Sequence, residues 1–183
     1  MGEGRPRLVQ RVQRRQALHR EAADALQAVS GSDCTVCIMH KQGQPQTMQQ
    51  APQYRDVVAE VDTYLRSRIA AAEAAGIARS RLVIDPGFGF GKTLEHNLEL
   101  LVQLGRFQSL RLPILVGMSR KGMLGQITGR DVDGRLAAGT AAASLAVLNG
   151  ALIVRTHDVS ATVDAAKVGH AVRRAWQAGV RPS

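Results

Sequence analysis

Asp85 closes the β-branched run Leu82-Val83-Ile84-Asp85 and is followed at once by Pro86-Gly87-Phe88-Gly89-Phe90-Gly91-Lys92-Thr93. A carboxylate at the last position of a strand can accept two N–H donors from the edge of an aminopyrimidinone ring, as carboxylates do with amidine-like groups. Three alternating glycines let the chain turn tightly and bring backbone close to a ligand. Phe88 and Phe90 offer faces on which a flat ring can stack. Thr93 stands where an N-cap would open the apolar helical pattern that follows. Strand, acid, glycine loop and helix in that order build a ligand site at the carboxyl end of a strand, where α/β enzymes place their chemistry. A nucleotide P-loop is the obvious competitor, but it needs four residues between its first Gly and its Gly-Lys pair. Gly87 and Gly91 enclose three, so the phosphate cradle is one residue short. The plain alternative is a glycine-rich connection with no ligand.

Three more polar clusters stand in the same position relative to an apolar run. His40-Lys41-Gln42-Gly43-Gln44 follows a first strand, Gly117-Met118-Ser119-Arg120-Lys121-Gly122 a third, and Arg155-Thr156-His157-Asp158 a fourth. In a parallel sheet the carboxyl ends share one rim, so the clusters converge. Lys121 and Arg155, with Arg120 nearby, can carry an anionic part of a ligand and hold charge that develops on a leaving group. Ser119 adds a hydroxyl and His157 an imidazole. The set has no Ser–His–Asp order, no nucleophile elbow and no second carboxylate beside Asp85 for acid/base pairing. Taken singly, Asp85 could be a helix-dipole partner or structural acid. Lys121 and Arg155 could be solvated surface cations, and His157 could serve a backbone carbonyl.

The elements that must position these groups alternate regularly. Leu18, Ala22, Ala25, Leu26 and Val29 follow helical spacing up to Gly31, and Thr35 to Met39 reads as a buried strand. Residues 40 to 52 read as a polar loop. Val57, Val58, Val61, Leu65 and Ile69 mark a long helix ended by Gly76. After the strand Leu82–Ile84 and its loop, Leu94, Leu98, Leu101 and Leu104 predict a helix closed by Gly105. Pro113 to Val116 is a third strand, followed by a loop from Gly117 to Gly134. A small-residue helix from about Arg135 to Leu148, a strand Leu152 to Val154 and an amphipathic helix Val163 to Trp176 complete the pattern. Trp176 and Tyr64 lie on apolar stripes and are expected in the core. Four strands alternating with four helices, without hairpin signals, predict an α/β fold with parallel strands. Eight such units of about forty residues would make a (β/α)₈ barrel of TIM type. This chain holds about four, the length of half a barrel.

With 183 residues, 45% of them hydrophobic, the chain can bury a real core as one domain. No apolar run approaches the ~18 residues of a membrane span, and no secretory segment follows the start. Cys34 and Cys37 spell C-x-x-C, but three residues apart on a strand they face opposite ways, and no second pair completes a zinc site. Two buried thiols in a reducing cytoplasm are expected. The formal net charge of +9 suits anionic ligands. Aromatics at 3% and no basic run with interleaved stacking residues argue against nucleic acid as a partner. Much of the excess lies in Arg5, Arg7, Arg11, Arg14, Arg15 and Arg20, which read as a solvated helix face or as a mitochondrial presequence. Residues 1–15 form an atypical Arg-rich segment, and residues 16–183 the domain proper.

The sequence resembles dihydropteroate synthase of folate biosynthesis, a pterin-binding TIM-barrel family. The matching motifs are Met39-His40-Lys41-Gln42-Gly43-Gln44-Pro45 with Thr47-Met48-Gln49, Asp85 through Lys92, Ser119-Arg120-Lys121, and Arg155-Thr156-His157-Asp158-Val159. They occur in the family's order, over roughly residues 16–178. The resemblance implies that Asp85 hydrogen-bonds the pterin ring with Met39 packed beside it. Lys121 would reach both pterin and p-aminobenzoate, Arg155 would lie over the pterin face, and Gly117 would border the substrate. Thr156 and His157 would join Arg155 in a pyrophosphate site. Phe90 and Ser119 would border the p-aminobenzoate pocket, which sulfonamides also occupy. Lys121, Arg155 and His157 are the expected catalytic residues. The reaction implied is attack of the p-aminobenzoate amine on the methylene of hydroxymethyl-dihydropterin pyrophosphate, with magnesium assisting departure of pyrophosphate. A cytoplasmic location and, as one possibility, a homodimer go with it. A methyltetrahydrofolate-using methyltransferase barrel is a neighbouring alternative, against which Ser119-Arg120-Lys121 argues.

The departures are as informative. A full-length member begins with a strand bearing a metal-binding Asn, then an Asp strand and an Asn-Asp strand that touch the pterin. Where the last should lie the chain reads Arg11-Val12-Gln13-Arg14-Arg15, and its only asparagines are Asn97 and Asn149. No metal ligand is assigned. Lys41 replaces the apolar residue usual after the motif histidine. The chain therefore reads as the C-terminal half of a pterin-binding barrel, and the rival reading is a non-catalytic remnant or partner subunit.

Overall fold

All four expected strands form, and all are short: β1 (Val36–Met39), β2 (Leu82–Asp85), β3 (Leu115–Val116) and β4 (Ile153–Val154). The structure is a computed structural model that describes residue 26 and residues 28–43 and 52–179. The Arg-rich segment, most of the helix expected from Leu18, and Gln44, Pro45, Thr47, Met48 and Gln49 of the first loop lie outside the described residues.

β1 pairs in parallel with β2, Val36 opposite Leu82 through Met39 opposite Asp85. A parallel bridge from Ile84 to Ile114 joins β2 to the start of β3. β3 pairs in parallel with β4, Leu115 opposite Ile153 and Val116 opposite Val154. Spatial order thus follows sequence order, and each parallel step needs a crossover, supplied here by helices. These are α1 (Val57–Ala74), α2 (Leu94–Val102), α3 (Gly122–Thr128), α4 (Leu136–Leu148) and α5 (Val159–Gln177).

Side chains alternate across a strand, which decides where the core sits. Ile38, Leu82, Ile84, Ile114, Val116 and Val154 pack with Val61 and Leu65 of α1, Leu100 of α2, Ala146 of α4 and Ala166 of α5 in one apolar cluster. The alternate positions Met39, Leu115 and Ile153 stay half-exposed, and Cys37 exposed. Among the described residues the helices therefore cover one face of the sheet, unlike a doubly wound fold with helices on both. On the opposite face Val83 and Asp85 of β2 are nonetheless buried.

α1 forms because Val57, Val58, Val61, Leu65, Ile69 and Ala72 recur every three or four residues and are all buried. Asp56 caps it, accepting the Ala59 N–H at 2.9 Å. α4 and α5 approach closely because Gly169 has no side chain: a Cβ there would collide with the Ser144 carbonyl oxygen. This packing fixes the start of α5, and with it the loop after β4.

Several expectations need correction. The segment read as a loop from Gly117 to Gly134 contains α3 and a 3₁₀ turn at Asp133–Arg135. At seven residues, with Met123 and Leu124 its buried members, α3 is too short to show a period in the sequence. α2 ends at Val102, and Gly105 falls inside a 3₁₀ stretch, Leu104–Leu110. The last helix begins at Val159, four residues before the expected start. As residues the two cysteines are exposed, although the Cys37 sulfur is turned inward: Cys34 precedes β1, and Cys37 lies on the sheet face away from the described helices. Tyr64 packs against the core as expected, but Trp176 is 50% exposed.

Candidate functional site

The glycine loop after β2 is held at almost every polar atom. Gly87, Gly89 and Gly91 all take positive φ, at 75°, 74° and 64°, a region open to glycine at little cost. The Gly87 N–H donates to Asp85 Oδ1 at 2.8 Å and the Gly89 N–H to Asn97 Oδ1 at 2.7 Å. The Tyr54 hydroxyl donates to the Gly91 carbonyl at 2.9 Å. Thr93 caps α2 as expected, accepting the His96 N–H at 3.3 Å, while its own N–H donates to His96 Nδ1 at 3.2 Å. A methyl group at position 87 would strike the carbonyl oxygen of His40. Gly87→Ala therefore combines a collision with a left-handed backbone, and we expect a loss of about 3 kcal/mol or more. In a thermal melt that reads as a fall of roughly 6–12 °C; an unchanged midpoint would show that the loop is not rigid.

Phe88 and Phe90 have different fates. Phe88 is fully buried, a burial that stabilises by about 1.5–3 kcal/mol, so it anchors the loop. Phe90 is half-exposed, and its ring centre lies 4.3 Å from Lys121 Nζ. Of the two rings, Phe90 is the one free to meet a ligand.

Asp85 lies at the centre of the charge. It is 2% exposed, and burial raises its carboxyl above the usual range, opposed by the Gly87 N–H and then by Lys121, Arg155 and Lys92. Lys121 and Arg155, expected at the site, and Lys92, which was not, thus act on the same carboxyl. Burial likewise pushes Lys121 down to about 8, with Asp85 raising it and Arg155 lowering it further. Lys121 also donates to the Phe88 carbonyl. Arg155 extends across Gly117, where a Cβ would come within 3.0 Å of its Nε; Gly117 is the space the guanidinium occupies. Met39 faces Asp85 across the β1–β2 register.

Ser119 and His157 meet at the rim. Ser119 Oγ lies 3.0 Å from His157 Nδ1 and accepts the His157 N–H at 3.3 Å. Beside them Arg120 Nη2 pairs with Asp158 at 2.9 Å, tying the loop after β3 to the loop after β4. The hydrogen bond from Arg120 holds the Asp158 carboxyl below its ordinary value. The Thr156 hydroxyl is buried and engaged within the fold, 2.9 Å from Thr162 Oγ1 and accepting the Asp158 N–H at 3.2 Å. It orders the start of α5. A groove of about 640 Å³ runs beside the loop, bordered by Pro52, Gly89, Lys92, Glu95, Asn97 and Gln126.

Sequence reasoning passed over His40, Lys92, Tyr54 and Asn97 as site-building residues. Lys92 Nζ contacts His40 Nδ1 at 3.0 Å and donates to the carbonyls of Gly87 at 2.9 Å and Phe90 at 3.1 Å. Burial pushes Lys92 down to about 7, against the pull of Asp85. Burial and the Lys92 charge push His40 down to about 3, so the ring is neutral and its Nδ1 accepts. The available signal was Asn97, a polar residue on the buried face of an otherwise apolar helix.

The donor set does not fit magnesium. Among the described residues no three His, Cys, Asp or Glu side chains gather as metal ligands. Asn97 is bonded to Gly89 and to the carbonyls of Lys92 and Thr93, and Asn149 to the Leu101 carbonyl at 2.9 Å.

Residues 12–157 match the family described as "Pterin binding enzyme". The chain belongs to that family. Among its curated relatives, the dihydropteroate synthase of Escherichia coli K12 is 51% identical over 144 residues, covering 79% of this chain and 51% of the relative. That of Neisseria meningitidis serogroup C is 48% identical over 164 residues, covering 88% and 55%. Among solved structures, Yersinia pestis dihydropteroate synthase in a sulfonamide drug complex superposes with a TM-score of 0.80 at 44% identity, covering 82% of this chain and 55% of that one. The Stenotrophomonas maltophilia enzyme with active-site-bound imidazole gives 0.78 at 50% identity, covering 86% and 58%. The chain spans about half the length of the curated relatives it matches.

Proposed function

We propose that this chain is a dihydropteroate synthase-type transferase of folate biosynthesis and carries the pyrophosphate and p-aminobenzoate side of the site, on four βα units of a (β/α)₈ barrel. The sequential parallel strands with helices on one face support the barrel reading. The observation that carries the function is the buried Asp85 carboxylate under the influence of Lys121, Arg155 and Lys92. One acid to hold a ring edge and a surplus of cations to hold an anion are what the reaction needs.

In this reading Asp85 accepts the pterin's N–H donors and Met39 packs beside the ring. Phe90, Ser119 and Gly117 border the substrates, with the Lys121 ammonium between the two. The amine nitrogen of p-aminobenzoate forms a bond to the pterin methylene as the carbon–oxygen bond to pyrophosphate breaks, the electron pair leaving with the oxygen. The amine then gives up a proton. Arg155 and His157 carry the leaving group's charge, and the rigid loop aligns the reactants. The resemblance also implies magnesium, but the residues described offer it no fit, and no step is derived through it. Thr156 contributes by ordering the α5 start. A cytoplasmic setting belongs to the same reading, and no described helix is long and apolar enough to cross a membrane. A homodimer would double the mass in light scattering.

The exposure of Cys37 and half-exposure of Met39, Leu115 and Ile153 on the face away from the described helices favour a second reading, a half barrel that binds ligand without turnover or completes a barrel with a separate polypeptide. Product formation from hydroxymethyl-dihydropterin pyrophosphate and p-aminobenzoate, run beside calorimetric titration of each, separates the two. Turnover lost in Lys121→Ala supports the enzyme. Heat on pterin addition without turnover supports the binding half. ATP binding that depends on Lys92 sinks both.

A further inference from the structure

The Lys92 ammonium is 3% exposed and offers three protons to three acceptors: His40 Nδ1 at 3.0 Å, the Gly87 carbonyl at 2.9 Å and the Phe90 carbonyl at 3.1 Å. No bond capacity is left over. A buried ammonium carries a large desolvation cost, and three charge-assisted bonds are the arrangement that offsets it. The acceptors come from two places far apart in the chain, the end of β1 and the loop after β2. His40 is itself fixed, its ring edge-on to Tyr64 at 4.9 Å between centres.

The same loop determines the surroundings of Lys121. Its Phe88 carbonyl accepts from Lys121 Nζ, and its Phe90 ring lies under that ammonium. Lys92 holds the residues on either side of Phe88, at Gly87 and at Phe90. Displacement of the loop would therefore move both partners of Lys121 at once. We propose that Lys92, latched to His40, is a positioning residue that sets where the Lys121 ammonium stands and how it is partnered. The consequence for ligands rests on the reading of this site as a pterin and p-aminobenzoate pocket. Lys92 touches neither substrate in that reading and acts only through the loop.

The test follows the Lys121 side-chain amine by NMR through a pH titration in the full chain, with lysine-labelled protein. Asp85, Arg155 and Lys92 are the charged groups that face Lys121. Lys92→Met keeps the stem and deletes the three donors. His40→Phe keeps the ring packing and the Lys92 side chain and deletes one acceptor. Lys121 is expected to titrate higher by about one pH unit in Lys92→Met, where water enters and a neighbouring cation is lost, and by a smaller upward step in His40→Phe, where hydration outweighs the loss of the Phe88 carbonyl. The second variant separates loop movement from the loss of the Lys92 side chain itself, and it decides the matter if Lys92→Met does not fold. A Lys121 titration unmoved in His40→Phe, even with a lower melting temperature, overturns the proposal and leaves Lys92 a structural residue. Calorimetry with p-aminobenzoate is run on the same samples, with about tenfold weaker binding expected in Lys92→Met. Should the native chain bind neither p-aminobenzoate nor pterin while the titration still shifts, the positioning role stands and the functional reading fails.

Discussion

Asp85→Asn is expected to weaken pterin binding by about a hundredfold while leaving the fold as stable as before or more so. The carboxylate presents two acceptors to a ring edge that offers two donors; the amide keeps one acceptor and points its own N–H₂ at the second donor. Losing a charge-assisted bond and burying an unmatched donor costs about 3 kcal/mol. Stability moves the other way. Burial, the largest influence on Asp85, raises its carboxyl in the folded chain despite the nearby cations. A raised acid binds its proton more readily folded than unfolded, so the charge detracts from stability as pH rises through the folded value. The neutral amide removes that penalty, and its Oδ1 can still accept the Gly87 N–H. Calorimetry with pterin beside a thermal melt gives both readouts. A melting point that falls together with affinity would recast Asp85 as part of the scaffold.

The second large effect concerns Lys121. Lys121→Met, which keeps the stem over Phe90 and removes the charge, is expected to weaken pyrophosphate binding by about tenfold or more and to lower any turnover by about a thousandfold. The native residue makes a pH prediction of its own. With burial holding Lys121 down to about 8, its ammonium is intact below that pH and is lost as pH rises through it. Anion affinity should therefore be full near pH 7 and fall across pH 8–9, a step the methionine variant lacks. Isothermal titration with pyrophosphate at half-unit intervals checks this. A native profile flat to pH 9 would remove Lys121 from the site.

Much of this was legible because it is local. Asp85, the three glycines and Thr93 lie within nine consecutive residues, and strand-end acid, turn and cap each carry a residue-type signature. Ile38, Ile84 and Val116, which lie in the expected strands, entered the core. What escaped depends on contacts between distant segments. Lys92 and His40 are 52 positions apart, and Arg120 and Asp158 are 38. Read along the chain, Lys92 suggested only a faulty phosphate loop. Short α3 has too few buried residues to leave a pattern. The cysteines were misjudged because a β-branched run looks the same whether one of its faces is covered or both. Trp176 sat on a helical stripe whose outer end finds nothing to pack against.

The sheet face that the described helices leave uncovered has a practical outcome. Cys37 reaches its surface, yet burial of the sulfur, with the Asp85 carboxylate close by, pushes the thiol up to about 12. Such a thiol reacts slowly at neutral pH because little of it is thiolate. Any polypeptide that closed over that face would shield it further, so the rate of maleimide capture at Cys37, read in a Cys34→Ser chain, serves as a gauge of whether the face is roofed.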